Sequence, residues 1–344
     1  MKSSIRSHAG KIAISLALTA LLLWFFVRGI NVQKTKEAVL AASPGWLGAS
    51  LLLGVGTFVF RAVRWTWLLR PVARVRIFPA FQATAVGFAA NNLPGKVGEV
   101  LRPALLARSE GLPFSPLLAS VALERVFDGA SVLFYLLMAI WLEPGDKHKG
   151  SFGLVGVLPA AVLATLVAVA LFAVFRRNAT ERLLERVWRR LPARIQPKVA
   201  AFSTTFIDGF ASLRSPSLLL VITAGSLGMW LVINLQIYSV LQAFHLGLPF
   251  TAAFVVTAAA VLGLAVPTPG GLGSYQAAVA GALTGFYGVA REAAAGVAIL
   301  AWATSFVLIT LIGLALLALS GRERALARAA GEDIDKREAV DAKS

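Results

Sequence analysis

Apolar residues occur along this chain in long runs, without the helical or alternating periods that the core of a soluble protein would show. Several runs reach the ~20 residues that a helix needs to cross the hydrocarbon core of a membrane. Short polar segments separate the runs, which cover residues 12–27, 46–69, 78–90, 93–107, 114–142, 152–175, 218–244, 250–266, 272–289 and 293–319. The pattern predicts an all-α polytopic membrane protein.

The composition agrees with that prediction. Of 344 residues, 58% are hydrophobic and 15% are charged, whereas soluble chains average about 45–50% and about 25%. Cysteine is absent and three scattered histidines are present, which excludes disulfides, thiolate chemistry and clustered Cys or His metal sites. We therefore predict no metal and no cofactor. The net charge of +16 is confined to short loops, so we expect anionic lipid as the partner and not nucleic acid.

Residues 1–320 are predicted to form a single membrane domain, which the C-terminal tail follows. A basic lead with Lys2, Arg6 and Lys11 precedes the first apolar run, and no small-residue cleavage site follows it. This arrangement predicts an uncleaved signal anchor. Residues 321–344 are mixed in charge and poor in apolar residues, so we expect a disordered cytoplasmic tail.

Two stretches centred on Pro-Gly interrupt the apolar runs. The charge of the loops indicates whether each stretch crosses the membrane. If each stretch returns to its side of entry, most Lys and Arg, including the basic linker 176–214, face the cytoplasm as the positive-inside tendency requires. A single crossing over residues 78–107 would place that linker outside. We predict about six full spans plus two Pro-Gly-broken re-entrant helix pairs, although two short full spans would give the same parity. This orientation places both termini on the cytoplasmic side.

The two Pro-Gly stretches match each other at an offset of 175 residues. Leu93 to Glu99 (LPGKVGE) aligns with Thr268 to Ser274 (TPGGLGS). Opposite entry sides would make residues 46–142 and 217–319 an inverted repeat, an arrangement that places a transporter's substrate site near the midplane. Coincidence is the alternative, since Pro-Gly is common in membrane turns. The predicted helix breaks are Pro94, Gly95, Gly98, Pro269, Gly270 and Gly273.

Ionisable and amide residues gather around the first break. Such groups are expensive within a membrane and usually pair inside the bundle or mark a pathway. A local surplus of positive charge suits a lipid phosphate, which arginine binds in bidentate fashion. Snorkelling arginines and structural ion pairs are the alternative. The candidate headgroup site comprises Arg61, Arg64, Asn91, Asn92, Lys96, Glu99, Arg102, Glu124, Arg125 and Asp128.

The basic linker carries apolar residues at helical spacing between residues 176 and 198. An amphipathic helix on anionic lipid would explain the pattern, and so would a solvated loop helix. The apolar positions are Leu184, Val187, Trp188, Leu191 and Ile195.

Four motifs together resemble the transmembrane region of lysylphosphatidylglycerol synthases over roughly residues 10–320. They are Arg61-x-x-Arg64-Trp65, Asn91-Asn92-Leu93-Pro94-Gly95-x-x-Gly98-Glu99-x-x-Arg102, Glu124-Arg125-x-x-Asp128 and Pro269-Gly270-Gly271-x-Gly273. The resemblance implies a flippase-like, multi-pass protein of the bacterial inner membrane that moves or accommodates lipid. It does not extend to the synthases' cytosolic aminoacyl-transferase domain, so synthase activity is not implied.

We therefore expect a lipid flippase or lipid-binding transporter, not an enzyme, that handles an anionic phospholipid or a glycosylated, polyprenyl-linked lipid. One alternative is a membrane enzyme acting on polyprenyl phosphates, with Glu99 as general base and Arg102 and Ser274 as phosphate clamps. No second carboxylate accompanies Glu99 in its motif, which argues against that chemistry. Another alternative is an assembly partner of a cell-envelope glycosyltransferase. The sequence leaves homo-oligomerisation open.

Overall fold

The structure is a computed structural model that describes residues 2–92, 97–142 and 195–341, with isolated positions between 165 and 192. The side chains of residues 1–14, 198 and 320–344 are not described. The regular elements of the described ranges are all helices. They are α1 (Lys2–Val27), α2 (Val32–Leu40), α3 (Pro44–Leu69), α4 (Ile77–Ala90), α5 (Gly98–Glu110), α6 (Phe114–Leu142), α7 (Gln196–Asp208), α8 (Pro216–Ala243), α9 (Phe250–Ala265), α10 (Ser274–Tyr287) and α11 (Arg291–Asp341), with 3-10 turns at Ala211–Arg214 and Pro269–Gly271.

Four described helices are long and apolar enough to cross a membrane: α3, α6, α8 and the Arg291–Leu319 part of α11. A fifth candidate is the pair Ser15–Val27 and Val32–Leu40, which bends by 84° at its break. The predicted span at 152–175 lies largely outside the described residues. The prediction of an all-α polytopic membrane protein is confirmed, with four or five candidate spans in the described part.

Large apolar side chains cover the outer faces of these helices. Leu52, Trp141 and Leu220 are 77%, 83% and 71% exposed. A soluble protein rarely exposes large apolar side chains in such number. These faces therefore suit contact with lipid acyl chains.

The first Pro-Gly stretch forms a helical hairpin. Helices α4 and α5 have 14 and 13 residues, so each is about 20 Å long and shorter than the ~30 Å hydrocarbon core. Arg76 Nη2 lies 3.2 Å from Glu110 Oε1, which joins the start of α4 to the end of α5. The chain thus returns to the level at which it entered.

The second Pro-Gly stretch forms a similar hairpin from α9 and α10. Phe250 at its start and Tyr287 at its end pack into the same apolar cluster. The break contains a 3-10 turn in which Gly270 and Gly271 have φ of 57° and 70°. Gly273 precedes α10, and Gly98 begins α5. Pro94 and Gly95 lie outside the described residues.

Helices α3 and α8 pack along each other in antiparallel fashion at the centre of the molecule. The Ser43 N–H donates to the Ala243 carbonyl at 2.9 Å, and Arg64 donates to Ser226 at 2.9 Å near the other ends. Around this pair, α4 packs on α11 and α9 packs on α6. The two hairpins are thus held against the central pair.

Helix α11 differs from the sequence prediction at its end. Its backbone stays helical to Asp341, whereas we expected a disordered tail over residues 321–344. The segment is rich in Ala, Arg and Glu, which have high helix propensity. Most of the predicted amphipathic segment at 176–198, including Leu184, Val187, Trp188 and Leu191, lies outside the described residues.

Candidate functional site

A buried network of ion pairs joins α3 to α6. Two arginines one turn apart on α3 face two carboxylates one turn apart on α6, as the i, i+3 and i, i+4 spacings allow. Arg64 lies 2.6 Å from Glu124 and 2.7 Å from Asp128. Arg61 lies 3.2 Å from Asp128 and 3.6 Å from Glu124. All four residues are at most 5% exposed.

Arg102 of α5 also belongs to this network. Its Nη2 pairs with Glu124, and its guanidinium lies 4.3 Å from the centre of the Trp65 ring. The indole of Trp65 donates to Ser120 at 2.9 Å. Arg102 is 2% exposed, so it serves to hold α3, α5 and α6 together.

Arg125 and Glu99 stand at the open end of the network. Arg125 Nη2 lies 3.1 Å from Glu99, and its Nη1 lies 3.1 Å from Asp128. Asn91 also donates to Glu99, at 3.4 Å. The side chains of Arg125 and Glu99 are 40% and 36% exposed, so a molecule in the cavity can reach both.

A cavity of about 750 Å³ lies between the two helix breaks and has largely apolar walls. Asn91 and Asn92 line it from the first break, and Thr268, Gly270 and Gly271 line it from the second. The breaks also touch, because a Cβ on Gly270 would lie 2.8 Å from Asn92 Oδ1. Trp302 donates to the Gly270 carbonyl at 2.8 Å.

The structure divides the predicted headgroup residues into two groups. Arg61, Asn91, Asn92, Glu99, Arg125 and Asp128 line the cavity. Arg64, Arg102 and Glu124 do not line it and lie behind the first group, paired with each other and with Asp128. Lys96 lies outside the described residues. Sequence spacing placed all of these residues near one another but could not show which of them face the cavity.

Several buried polar atoms at the cavity have no hydrogen-bond partner within the described part of the chain. They are Arg61 Nε, Asn91 Oδ1 and Asn92 Oδ1. Buried polar groups are normally satisfied, so each exception needs an explanation. A polar ligand or water in the cavity would supply the missing partners.

Sequence reasoning missed two aromatic residues at the site. Trp230 of α8 donates to Asp128 at 3.2 Å, and the Phe88 ring lies 4.9 Å from the Arg61 guanidinium. Both line the cavity. Trp230 lies 102 residues after Asp128 along the chain, so local spacing gives no signal for this contact.

The residues considered for phosphoester chemistry are not assembled around the cavity. Glu99 lines it, but Arg102 packs behind Glu124. The Ser274 hydroxyl is 2.9 Å from that of Thr268 and donates to the Gly271 carbonyl at 3.2 Å.

A smaller branch of about 130 Å³ adjoins the cavity. The two spaces adjoin beside Arg61, because both are lined by Arg61, Phe88, Trp230, Val261, Leu264 and Phe306. The remaining walls of the branch include Thr57, Gln236, Thr257, Tyr275 and Ser305.

Comparison with known proteins identifies the family. The family model described as "Lysylphosphatidylglycerol synthase TM region" matches residues 12–313. Two relatives from Methanothermobacter thermautotrophicus (strain Delta H), each described as a UPF0104 membrane protein, are both 26% identical to this chain. The alignments cover 86% and 88% of this chain and 90% of each relative. The match confirms the resemblance in the motifs: this chain belongs to the family of the lysylphosphatidylglycerol synthase transmembrane region.

Proposed function

We propose that the protein is a lipid flippase that binds a phosphate-bearing lipid headgroup in the cavity between its two helix breaks. The observation that carries this proposal is the lining of the cavity. Arg61 and Arg125 line it together with the carboxylates of Glu99 and Asp128, and largely apolar walls make up the rest. A membrane lipid has the same division between an anionic head and apolar chains.

The charge balance supports an anionic ligand. The described network contains four arginines (Arg61, Arg64, Arg102 and Arg125) and three carboxylates (Glu99, Glu124 and Asp128), which leaves one positive charge in excess. Glu124 and Asp128 have close partners in Arg64, Arg102 and Arg125. Arg61 is thus the arginine that the carboxylates need least, and it faces the cavity.

Packing around the hairpins supports the inverted repeat. A Cβ on Gly87 would lie 2.8 Å from Arg102 Cβ and 3.1 Å from the Gly98 carbonyl oxygen. A Cβ on Gly263 would lie 2.9 Å from Ala278 Cβ and 2.7 Å from the Ser274 carbonyl oxygen. Each of the three residues in the second contact lies 176 positions after its counterpart in the first, so the two hairpins close in the same way.

Helix pairing repeats in the same manner. The proposed repeat pairs α3 with α8, α4 with α9, α5 with α10 and α6 with α11. When each of these eight helices is replaced by its counterpart, the packed pairs among them map onto packed pairs. For example, the contact of α4 with α11 corresponds to that of α9 with α6. With the antiparallel α3–α8 pair at the centre, this exchange is the one expected for a pseudo-twofold axis in the plane of the membrane. Transporters with that arrangement bind substrate near the midplane.

Lipid translocation tests the proposal. Purified protein is reconstituted into vesicles that contain a trace of fluorescent phosphatidylglycerol, and a reductant that cannot cross the membrane bleaches the accessible label. The wild type should expose the inner-leaflet label to bleaching. Arg61→Gln should leave the inner half protected, because the cavity loses the buried cation that lies against it. The matched control is Arg108→Gln, an exposed arginine of α5.

A phosphate-release assay, run beside the translocation assay, separates transport from hydrolysis. A lipid phosphatase that used Glu99 as general base would lose about 10²–10⁴-fold in rate on Glu99→Gln. A flippase breaks no bond, so we expect that variant to retain translocation within about tenfold. Release of inorganic phosphate from a polyprenyl diphosphate by the wild type, abolished in Glu99→Gln, would contradict the flippase proposal.

A further inference from the structure

A groove of about 620 Å³ lies at the end of α3 and shares no lining residue with the cavity or with its smaller branch. The last turns of α3 form its floor through Val63, Thr66, Trp67 and Arg70, which recur at helical spacing on one face. The loop that leads to α4 forms the opposite wall. Polar and apolar groups contribute almost equally to the lining. The groove therefore suits a ligand that has both kinds of surface.

The loop that forms this wall is fixed in place. The N–H groups of Val72 and Ala73 both donate to the Leu69 carbonyl at 2.8 Å. Val75 packs against the apolar cluster that α3, α4 and α6 share. Because these contacts already order the walls, a ligand can bind without the cost of ordering the loop.

Arg70 and Arg74 give the groove two positive charges. Both residues are exposed, and neither side chain has an ion-pair partner in the described part of the chain, although the nearby Arg76 pairs with Glu110. The described lining residues include no carboxylate. Two cations at one groove repel each other, so an anionic group bound between them would be stabilised by both.

An exposed apolar strip of α3 leads away from the two arginines. Leu52, Val59 and Phe60 are exposed, and spacings of three, four and seven residues place them on the helix face of Val63 and Arg70. At ~1.5 Å per residue, Val59 lies about 17 Å from Arg70 along the helix axis, which is about half of the ~30 Å hydrocarbon core. The strip thus has the length of the acyl chains of one leaflet.

We propose that the groove binds one anionic phospholipid of the cytoplasmic leaflet and keeps it as a resident lipid, separate from the lipid that is transported. Arg70 and Arg74 bind its phosphate, which a guanidinium group can hold in bidentate fashion, and its acyl chains lie along the strip. The proposed topology puts this end of α3 at the anionic cytoplasmic leaflet. The inference does not depend on flippase activity.

Charge and shape together favour a lipid over two other occupants of the groove. Two copies of the chain that met through this face, with the same orientation in the membrane, would bring four arginines together, and like charges in contact oppose association. Inorganic phosphate would pair with the arginines but would leave the apolar strip uncovered. A phospholipid matches both the charge and the strip.

Native mass spectrometry of the purified full chain, which counts the lipids bound to each molecule, tests the inference. Phosphatidylglycerol is the anionic probe, and phosphatidylcholine is the zwitterionic one. At concentrations that just saturate the wild type, Arg70→Gln/Arg74→Gln should bind one phosphatidylglycerol fewer, because each lost arginine weakens the affinity of the groove by about fivefold. Binding of phosphatidylcholine should not change.

A charge-matched control is Arg108→Gln/Arg176→Gln, which removes two exposed arginines elsewhere on the same proposed side of the membrane and should leave the lipid count unchanged. Arg70→Lys/Arg74→Lys keeps both charges and should retain more bound lipid than the glutamine variant. An unchanged count in the glutamine variant, or an equal loss in the control, would overturn the inference. Release of the lipid by inorganic phosphate alone, or a dimer that dissociates only in the glutamine variant, would also overturn it.

The translocation assay shows whether the bound lipid is resident. Arg70→Gln/Arg74→Gln should expose the inner-leaflet label to bleaching as the wild type does, since neither arginine lines the cavity. If translocation were instead lost, as we expect for Arg61→Gln, the groove would supply the transported lipid, and the assignment of a resident lipid would be wrong.

Discussion

Arg61 and Arg64 stand one turn apart on α3 and have different surroundings. Arg64 contacts both carboxylates of α6 at 2.6 and 2.7 Å and is 1% exposed. Arg61 borders the cavity, where its Nε has no partner among the described residues. These surroundings lead us to propose that Arg64 stabilises the fold and that Arg61 binds the ligand.

We expect Arg64→Ala to destabilise the protein strongly. Removing one partner of a buried ion pair leaves an uncompensated charge and typically costs about 3–5 kcal/mol. Thermal unfolding of the detergent-solubilised protein, followed by size-exclusion chromatography, measures the change. Arg108→Ala serves as the exposed control, and unaltered stability of Arg64→Ala would refute the division of tasks.

The identity of the charged residues could be predicted from the sequence, but their orientation could not. Repeated spacings of three and four residues indicate that Arg61, Arg64, Glu124 and Asp128 share helix faces. Whether a side chain faces the cavity depends on how α3 is rotated about its axis relative to α6 and α8. The spacing of residues within one helix does not determine that rotation. The Trp230 contact with Asp128 escaped prediction for the same reason.

At the scale of elements, the two Pro-Gly hairpins depend on close backbone contact. A Cβ on Gly98 would lie 1.8 Å from the Gly87 carbonyl oxygen, far inside any allowed separation. Because Gly98 has no side chain, the backbones of α4 and α5 come into contact next to the break that joins them. The sequence predicted where the hairpin breaks, because Pro and Gly interrupt an apolar run there.

We expect Gly98→Ala to open the first hairpin and to lower the free energy of unfolding by at least about 2 kcal/mol, as overpacking of a tight contact does. Gly281→Ala on α10 is the matched control, since a Cβ there meets nothing within 4 Å. Thermal unfolding of both variants gives the comparison. Equal stability of Gly98→Ala and Gly281→Ala would contradict the close contact between Gly98 and Gly87.

The end of α11 shows a limit of compositional reasoning. Mixed charge and few apolar residues indicated a disordered tail after residue 320, yet the backbone is helical to Asp341. The composition shows that the segment has too few apolar residues to form a core, but helix formation also depends on the helix propensity of each residue. A helix already begun in an apolar segment can extend through Ala, Arg and Glu without forming a new nucleus.

At the scale of the whole molecule, the proposed topology places the N-terminus, the 176–214 linker and the C-terminal tail on the cytoplasmic side. Loop charge supports this orientation, because most Lys and Arg then face the anionic leaflet. The inverted repeat depends on it, since the two hairpins must enter from opposite sides.

Cysteine labelling tests the orientation, and the natural chain contains no cysteine that would interfere. Single cysteines at Ser3, Ser203 and Ser344 should resist a membrane-impermeant thiol reagent in intact cells and react after permeabilisation. A cysteine at Gln33, between α1 and α3, is the control that should react in intact cells. Labelling of Ser203→Cys in intact cells would reverse the orientation of the second half.

The ion pairs between α3 and α6 also constrain how the protein is made. Their partners are 60 and 67 residues apart along the chain, and the arginines leave the ribosome before the carboxylates. Until α6 emerges, α3 carries two cations that the bilayer interior disfavours. Helix α3 should therefore wait at the interface or within the insertion machinery and enter the bilayer together with α6, which makes the first half of the molecule a single unit of membrane insertion.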